Sequence, residues 1–279
     1  MSQAYIDAQR RMFGLDRSPS SQYLHWLGGL LHGDLGQSIT YNQPVRTVIK
    51  SRLGATLSLN FITLFVTWLI AIPLGIYAAV YQHRLPDRVV SLIGFIGMSM
   101  PSFFLALVLL WLFASKVQWL PPGGLTDLDH DQYTRWHRFV DYFRHLIVPV
   151  VVLTFGALAG LQRVMRGSML ETLRLQYVTT ARAKGLSENR VVYKHALRNA
   201  INPLITLLGF DFAALFGGAA LMEIVLNYPG MGMLLLDALR AKDQFLVMSL
   251  FLIGSILLVL GNLVGEILLA WVDPRVGYD

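Results

Sequence analysis

The chain has 279 residues, of which 54% are hydrophobic and only 14% charged, against about 25% charged in an ordinary soluble domain. A single water-soluble core of this size cannot hold so much apolar side chain, and a mean hydropathy of +0.52 excludes disorder, a fibrous repeat and, despite a pI near 9.6, a nucleic-acid-binding domain. The net charge of +6 is carried in bunches, and the absence of cysteine removes disulfides, thiolate metal sites and cysteine nucleophiles.

In chain order, residues 1–55 are polar enough to lie outside a bilayer. Five segments follow that fit a spanning helix, which needs about 20 mostly apolar residues. Residues 56–80, 89–115 and 145–162 contain no Asp, Glu, Lys or Arg. Residues 199–222 contain only Asp211, and residues 244–272 contain only Glu266, near the end of the run. Lipid offers the backbone no hydrogen bonds, so the pattern predicts an all-α, polytopic membrane protein. Pro73 and Pro101 lie inside the first two spans, where each removes a helical hydrogen bond and favours a bend. GxxxG spacing at Gly156/Gly160 and Gly261/Gly265 marks two places for close helix crossing.

Lys and Arg favour the cytoplasmic side. With the amino terminus outside, the inner segments hold eleven bases and the outer ones, with residues 1–55 and Lys116, hold twelve, so the count alone does not fix the orientation. The densest cluster does: residues 163–198 carry eight bases against two acids and are read as cytoplasmic. Residues 1–55 are then an extracytoplasmic segment, and 56–279 a transmembrane domain. A tail of that length with no targeting segment ahead of it leads to the expectation of a first helix missing upstream.

The basic loop reads Tyr177-Val-Thr-Thr-Ala-Arg-Ala-Lys-Gly-Leu-Ser-Glu-Asn-Arg and continues to Asn199. Its local signals are a helix to about Lys184, a left-handed turn at Gly185, an N-cap at Ser187 and a second helix to about Ala200. By itself this is either a solvated basic loop that holds orientation or a stiff docking element.

The wording of the loop resembles the permease subunit of binding-protein-dependent ABC importers, in the branch serving dipeptides, oligopeptides, nickel and glutathione. That family places Glu-Ala-Ala, three residues, Gly, nine residues, then Ile-x-Leu-Pro. Gly185 matches the glycine and Ala181 the last alanine, while Thr179 and Thr180 stand at the Glu and first Ala. His195 and Leu197 fill the Ile and Leu positions, and Arg198 replaces the proline. Gly33-Asp-Leu-Gly-Gln-Ser, Met100-Pro-Ser-Phe, Leu120-Pro-Pro-Gly-Gly, Tyr228-Pro-Gly-Met-Gly and Asp273-Pro-Arg match the same branch in order. Where the family often has proline, this chain has Phe245.

The resemblance implies a type I ABC importer permease fold, in which six spans are usual and five are present here. It implies that the 163–198 loop couples to an ATPase through Ala181, Arg182, Ala183, Lys184, Gly185, Leu186, Glu188, Arg190 and His195. The expected partners are two ATP-binding subunits, a homologous second permease, an extracytoplasmic substrate-binding protein and the lipid of the cell inner membrane. Arg182, Lys184 and Arg190 are expected to pair with acids on the ATPase. Peptide is the expected cargo, with nickel and glutathione open.

Asp211 and Glu223 are the candidates for the translocation path. An acid at bilayer centre costs about 2.5–3.5 kcal/mol, so Asp211 should face a cavity, a partner helix or a base. Its alternative is a structural acid at the subunit contact, and Glu223 and Glu266 can also reach interfacial water. Trp111, Trp119 and Trp271 fit an aromatic belt at the membrane edges. The seven histidines show no HxH or HExxH spacing, so no metal site is expected. With no Gly-x-Ser-x-Gly nucleophile and no phosphate loop, neither catalysis nor a bound cofactor is expected in this chain. The competing function is a self-sufficient channel or secondary transporter for a small polar solute.

Overall fold

The computed structural model describes residues 18–214 and 219–272. The Asp273-Pro-Arg motif lies outside them. After a short helix α1 (Pro19–Leu30), a two-residue hairpin pairs β1 (Gln37–Ser38) with β2 (Gln43–Pro44), antiparallel, with Gln37 opposite Pro44. The first long helix, α2, runs from Val45 to Val80, so the boundary drawn at residue 55 falls within it. Pro73 is accommodated inside that continuous helix.

Pro101 has the opposite effect. Helix α3 (Leu85–Ser99) ends at Met100, and α4 (Ser102–Leu109) leaves at an angle of 101°, continuing through a π-type stretch, Leu110–Lys116. The second expected span is therefore two helices meeting at a sharp bend rather than one continuous helix. Helix α5 (Arg135–Leu173) is 39 residues long and contains the whole third span, with ten residues added before it and eleven after. The fourth expected span is not one long helix among the described residues, which show α9 (Asn202–Ala214) and the short α10 (Ala220–Val225). Helix α11 (Met231–Arg240) lies between α10 and the last long helix, α12 (Gln244–Val272). Among the described residues, three helices are long and apolar enough to cross a membrane, or up to four if the bent pair is one span, by length and composition.

The helices pack as two main pairs, α2 against α5 and α9 against α12. Glycine makes the second crossing close: a Cβ added to Gly209 would sit 2.7 Å from the Cα of Gly265 and 3.4 Å from the carbonyl oxygen of Gly261. The Gly261/Gly265 spacing is thus used inside the chain. Gly156 and Gly160 have nothing within 4 Å of an added Cβ.

The family-like motifs serve as ties between distant segments. In Gly33-Asp-Leu-Gly-Gln-Ser, the Ser38 hydroxyl donates to Asp243 Oδ2 at 2.6 Å, and the Thr40 N–H donates to the same oxygen at 3.0 Å. Asp243 is fully buried there. Phe245 packs its ring on Gly36 of that motif, which gives this departure from the family wording a local role. Tyr228 of Tyr228-Pro-Gly-Met-Gly is also fully buried and donates to the Ala55 carbonyl at 2.7 Å. The Met231 N–H donates to Thr56 Oγ1 at 2.8 Å. Both bonds hold α11 to α2.

Candidate functional site

Two places in the molecule bring the sequence-singled residues together, and they lie in different environments. The first is the helical turn that follows α5. Helix α6 (Gln176–Ala183) ends at Lys184, and Gly185 takes φ +77°, the left-handed turn expected from its position. Ser187 has extended N-cap geometry, although its side chain makes no capping bond. The second helix is less regular than expected: α7 (Glu188–Arg190) passes into a π-type stretch, Val191–Ala196, before α8 (Leu197–Ala200).

One face of this element is an apolar seat. Val178, Val191, Ala196 and Ala200 are fully buried and pack in one cluster with Met165 and Met169 of α5. Ala71, Ile76 and Ala79 of α2 belong to the same cluster. Ala181 joins it at 7% exposure, so its methyl faces the chain's own core. Leu186 packs against the same cluster, and His195 is half-buried. The Ser168 hydroxyl adds a 2.7 Å bond to the Ala200 carbonyl.

The opposite face is polar. Arg182, Ala183, Lys184, Gly185, Glu188 and Arg190 are exposed. Arg182 is paired within the chain: its guanidinium donates to both Glu188 oxygens, at 2.7 and 3.1 Å, across the Gly185 turn. Arg182 therefore has an acid partner within its own chain. The Arg182 bond holds the Glu188 carboxyl below its ordinary value against a smaller opposing effect of burial. The pair was not legible from residue spacing, because its members stand six positions apart across a chain reversal.

The second place is a cavity of about 320 Å³ between α2, α5 and α9. Its residues fall at helical spacing on each wall: Asn60, Thr63, Leu64, Thr67 and Trp68 on α2, Leu153, Ala157 and Leu161 on α5, Leu207 and Asp211 on α9. Asp211 accepts a 3.1 Å bond from Trp68 Nε1. The Thr63 and Thr67 hydroxyls are buried with no hydrogen-bond partner among the described residues. Composition had pointed to Asp211 but not to the two threonines, which look ordinary in an apolar run.

Glu223, the other path candidate, does not line this cavity. It is 1% exposed and accepts a 2.6 Å bond from the Met233 N–H in the first turn of α11. An added Cβ on Gly230 would collide with its carboxylate. A carboxylate at a helix start satisfies otherwise unpaired N–H groups, so Glu223 fixes the turn that carries the Tyr228 motif.

A third cluster was not legible from histidine spacing. Asp127, Asp141 and His145 bring side-chain ligand atoms within 4.8 Å of one another. His130 Nδ1 lies 2.5 Å from Asp141 Oδ2, the Asp127 N–H donates to Asp141, and His145 Nδ1 donates to the Asp141 carbonyl at 2.9 Å. Hydrogen bonds thus already occupy the Asp141 carboxylate, and the cluster is a latch between residues 127–130 and the first turns of α5.

Residues 71–278 match the family described as the binding-protein-dependent transport system inner membrane component. A putative peptide permease protein of Brucella ovis is 40% identical over 277 residues, covering 99% of this chain and 85% of that one. The oligopeptide transport system permease protein AppB of Bacillus subtilis is 37% identical over 279 residues, covering 100% and 87%. Among solved structures, an inward-facing form of the MetNI methionine ABC transporter aligns with a TM-score of 0.64 at 20% identity, over 82% of this chain and 97% of that one. That last likeness concerns the fold, a type I ABC importer permease. By family match and by identity along its length, the chain belongs to the inner membrane components of binding-protein-dependent transport systems.

Proposed function

We propose that the chain is a permease subunit of an ATP-driven importer of peptides, and that residues 176–200 receive a separate ATPase. The observation that carries the cargo is the 40% identity, over 99% of the chain, to a protein named as a peptide permease. On this reading residues 163–198 are cytoplasmic, the 118–134 loop faces outward, and a related second permease and a substrate-binding protein complete the assembly.

The geometry supports the coupling role. A switch driven by a partner needs a stiff element between the docking surface and the moving helices. Residues 176–200 are seated on both α2 and α5 through Met165, Met169, Ile76 and Ala79. A push on the exposed Ala183–Gly185 surface therefore reaches two long helices through close-packed side chains, which transmit displacement rather than absorb it. The cations Lys184 and Arg190 are exposed and supply charge to the docking surface.

The test is co-purification from membranes with the intact chain and with residues 177–198 scrambled. Recovery of an ATPase with the intact chain alone, together with ATP-dependent peptide uptake by the recovered complex, is the expected result. Equal recovery from both places docking elsewhere. Peptide uptake that persists without any ATPase favours the self-sufficient transporter.

A further inference from the structure

The cavity at Asp211 is lined by its carboxylate, the Asn60 amide, the Trp68 ring, Thr63, Thr67 and aliphatic side chains. Asp211 stands in an otherwise apolar helix, where the cost of a charge makes an acid without a function unusual. Among the described residues, Trp68 Nε1 donates to one oxygen of the Asp211 carboxylate. None of the described residues lining the cavity is basic, so none of them compensates the acid there. Buried hydroxyls in a membrane helix normally bond a backbone carbonyl or a neighbour. Thr67 is 4% exposed, and its oxygen and that of Thr63 are buried without a partner among the described residues, within the wall rather than on its surface.

We infer that this cavity is a subsite for a primary ammonium group on the transported substrate, bound by Asp211. An ammonium carries three donors and no acceptor, and the Asp211 carboxylate is the charged acceptor that the cavity wall offers it. Leu64, Leu153, Ala157, Leu161 and Leu207 surround the polar group with aliphatic surface, which suits the carbon chain next to the nitrogen. A volume of about 320 Å³ is at the small end of the 300–1,000 Å³ typical of ligand sites, so one end of a substrate enters at a time. The ammonium can come from a peptide amino terminus or from a lysine side chain. The inference rests on the peptide-importer reading above.

The experiment uses the complete transporter in proteoliposomes, with saturating binding protein loaded with trialanine or with Ala-Lys-Ala. Uptake is divided by ATP hydrolysed, and recovery of the second permease is checked for every variant. Asp211→Asn is expected to lower uptake per ATP by about ten- to a hundredfold, the loss of one charge-assisted hydrogen bond. Asp211→Glu should restore most of it. An equal loss for both peptides identifies the amino terminus as the ligand, and a loss confined to Ala-Lys-Ala identifies the side chain. Unchanged uptake in Asp211→Asn overturns the subsite. So does failure of that variant to recover the second permease, which would make Asp211 a subunit contact. A wild-type complex that hydrolyses ATP but takes up neither peptide removes the cargo reading itself, a result distinct from either.

Discussion

The two ends of α5 are held by opposite chemistry. At its start, near residues 127–145, hydrogen bonds converge on one carboxylate: Asp141 takes the Asp127 N–H and His130, and His145 closes the group from the next turn. At its far end, Met165 and Met169 lie in an apolar seat filled by Val178, Val191 and Ala196. A polar latch depends on directional bonds and gives way when one partner is removed. An apolar seat depends on close packing over area, keeps its shape under load and loses stability in proportion to the volume removed. On the function proposed above, the difference would suit an outward loop that must be held in place and a coupling element that must carry displacement.

The strongest way to break this comparison is to hollow the seat. Met169→Ala deletes a fully buried side chain, and large-to-small changes of this kind cost about 2–5 kcal/mol. The expected outcome is a lower unfolding midpoint for the purified complex and loss of ATPase recovery. A variant that unfolds earlier but still recovers the ATPase and couples normally would show that the seat contributes stability without transmitting displacement.

The latch should respond differently. Asp141→Ala leaves the Asp127 N–H and the His130 ring without their acceptor, and because both can reach water the loss should be that of ordinary hydrogen bonds, about 0.5–1.5 kcal/mol each. Limited proteolysis between residues 118 and 134 should become faster, while ATPase recovery stays at the wild-type level. A loss of ATPase recovery would mean that the two ends of α5 are not independent.

Much of this frame was legible in the sequence, for physical reasons that also mark the limits. Charge-free runs revealed the cores of the long helices, because lipid excludes charge, but not their ends. Helix α5 extends through Arg135, Arg138 and Arg144 before its apolar run and through Arg163 and Arg166 after it, where water and ion pairs support a helix that hydropathy does not register. Arg166 is one such case, donating to both Asp87 oxygens at 2.7 and 2.8 Å. Pro101 was visible as a helix breaker and Pro73 equally so, yet only the first breaks its helix, and tertiary packing decides between them. The Gly185 turn was readable from local signals alone. The inward direction of Ala181 was not, since burial in this element depends on α2 and α5, far away in sequence. The threonines at the Asp211 cavity were hidden for the same reason.

Gly185 separates strain from space at the coupling surface. Its φ of +77° is a conformation that side chains with a Cβ resist by about 1–2 kcal/mol, although nothing lies within 4 Å of an added Cβ. Gly185→Ile should therefore insert normally, shift the turn and reduce uptake per ATP hydrolysed. Gly185→Asn, which tolerates the left-handed region, should retain most coupling. Equal damage from both would point to direct contact with the ATPase at this position, and normal uptake by Gly185→Ile would count against docking here.

The Arg182–Glu188 pair should have the smallest effect and still sharpen the comparison. Side-chain exposures of 40% and 54% leave it screened by solvent, so a coupling of about 0–1 kcal/mol is expected from a double-mutant cycle on thermal unfolding. Arg182 lowers the Glu188 carboxyl below its ordinary value of 4.5. The bridge is therefore fully present above that value and is lost as pH falls through the lowered one, so stability near neutral pH should not depend on it. Repeating the cycle on ATPase recovery at neutral pH then isolates docking. If the coupling is the same in both readouts, the pair only braces the Gly185 turn. If it is larger for recovery than for unfolding, the pair belongs to the docking surface, and the polar face of residues 176–200 contributes to transmission as well as the apolar seat beneath it.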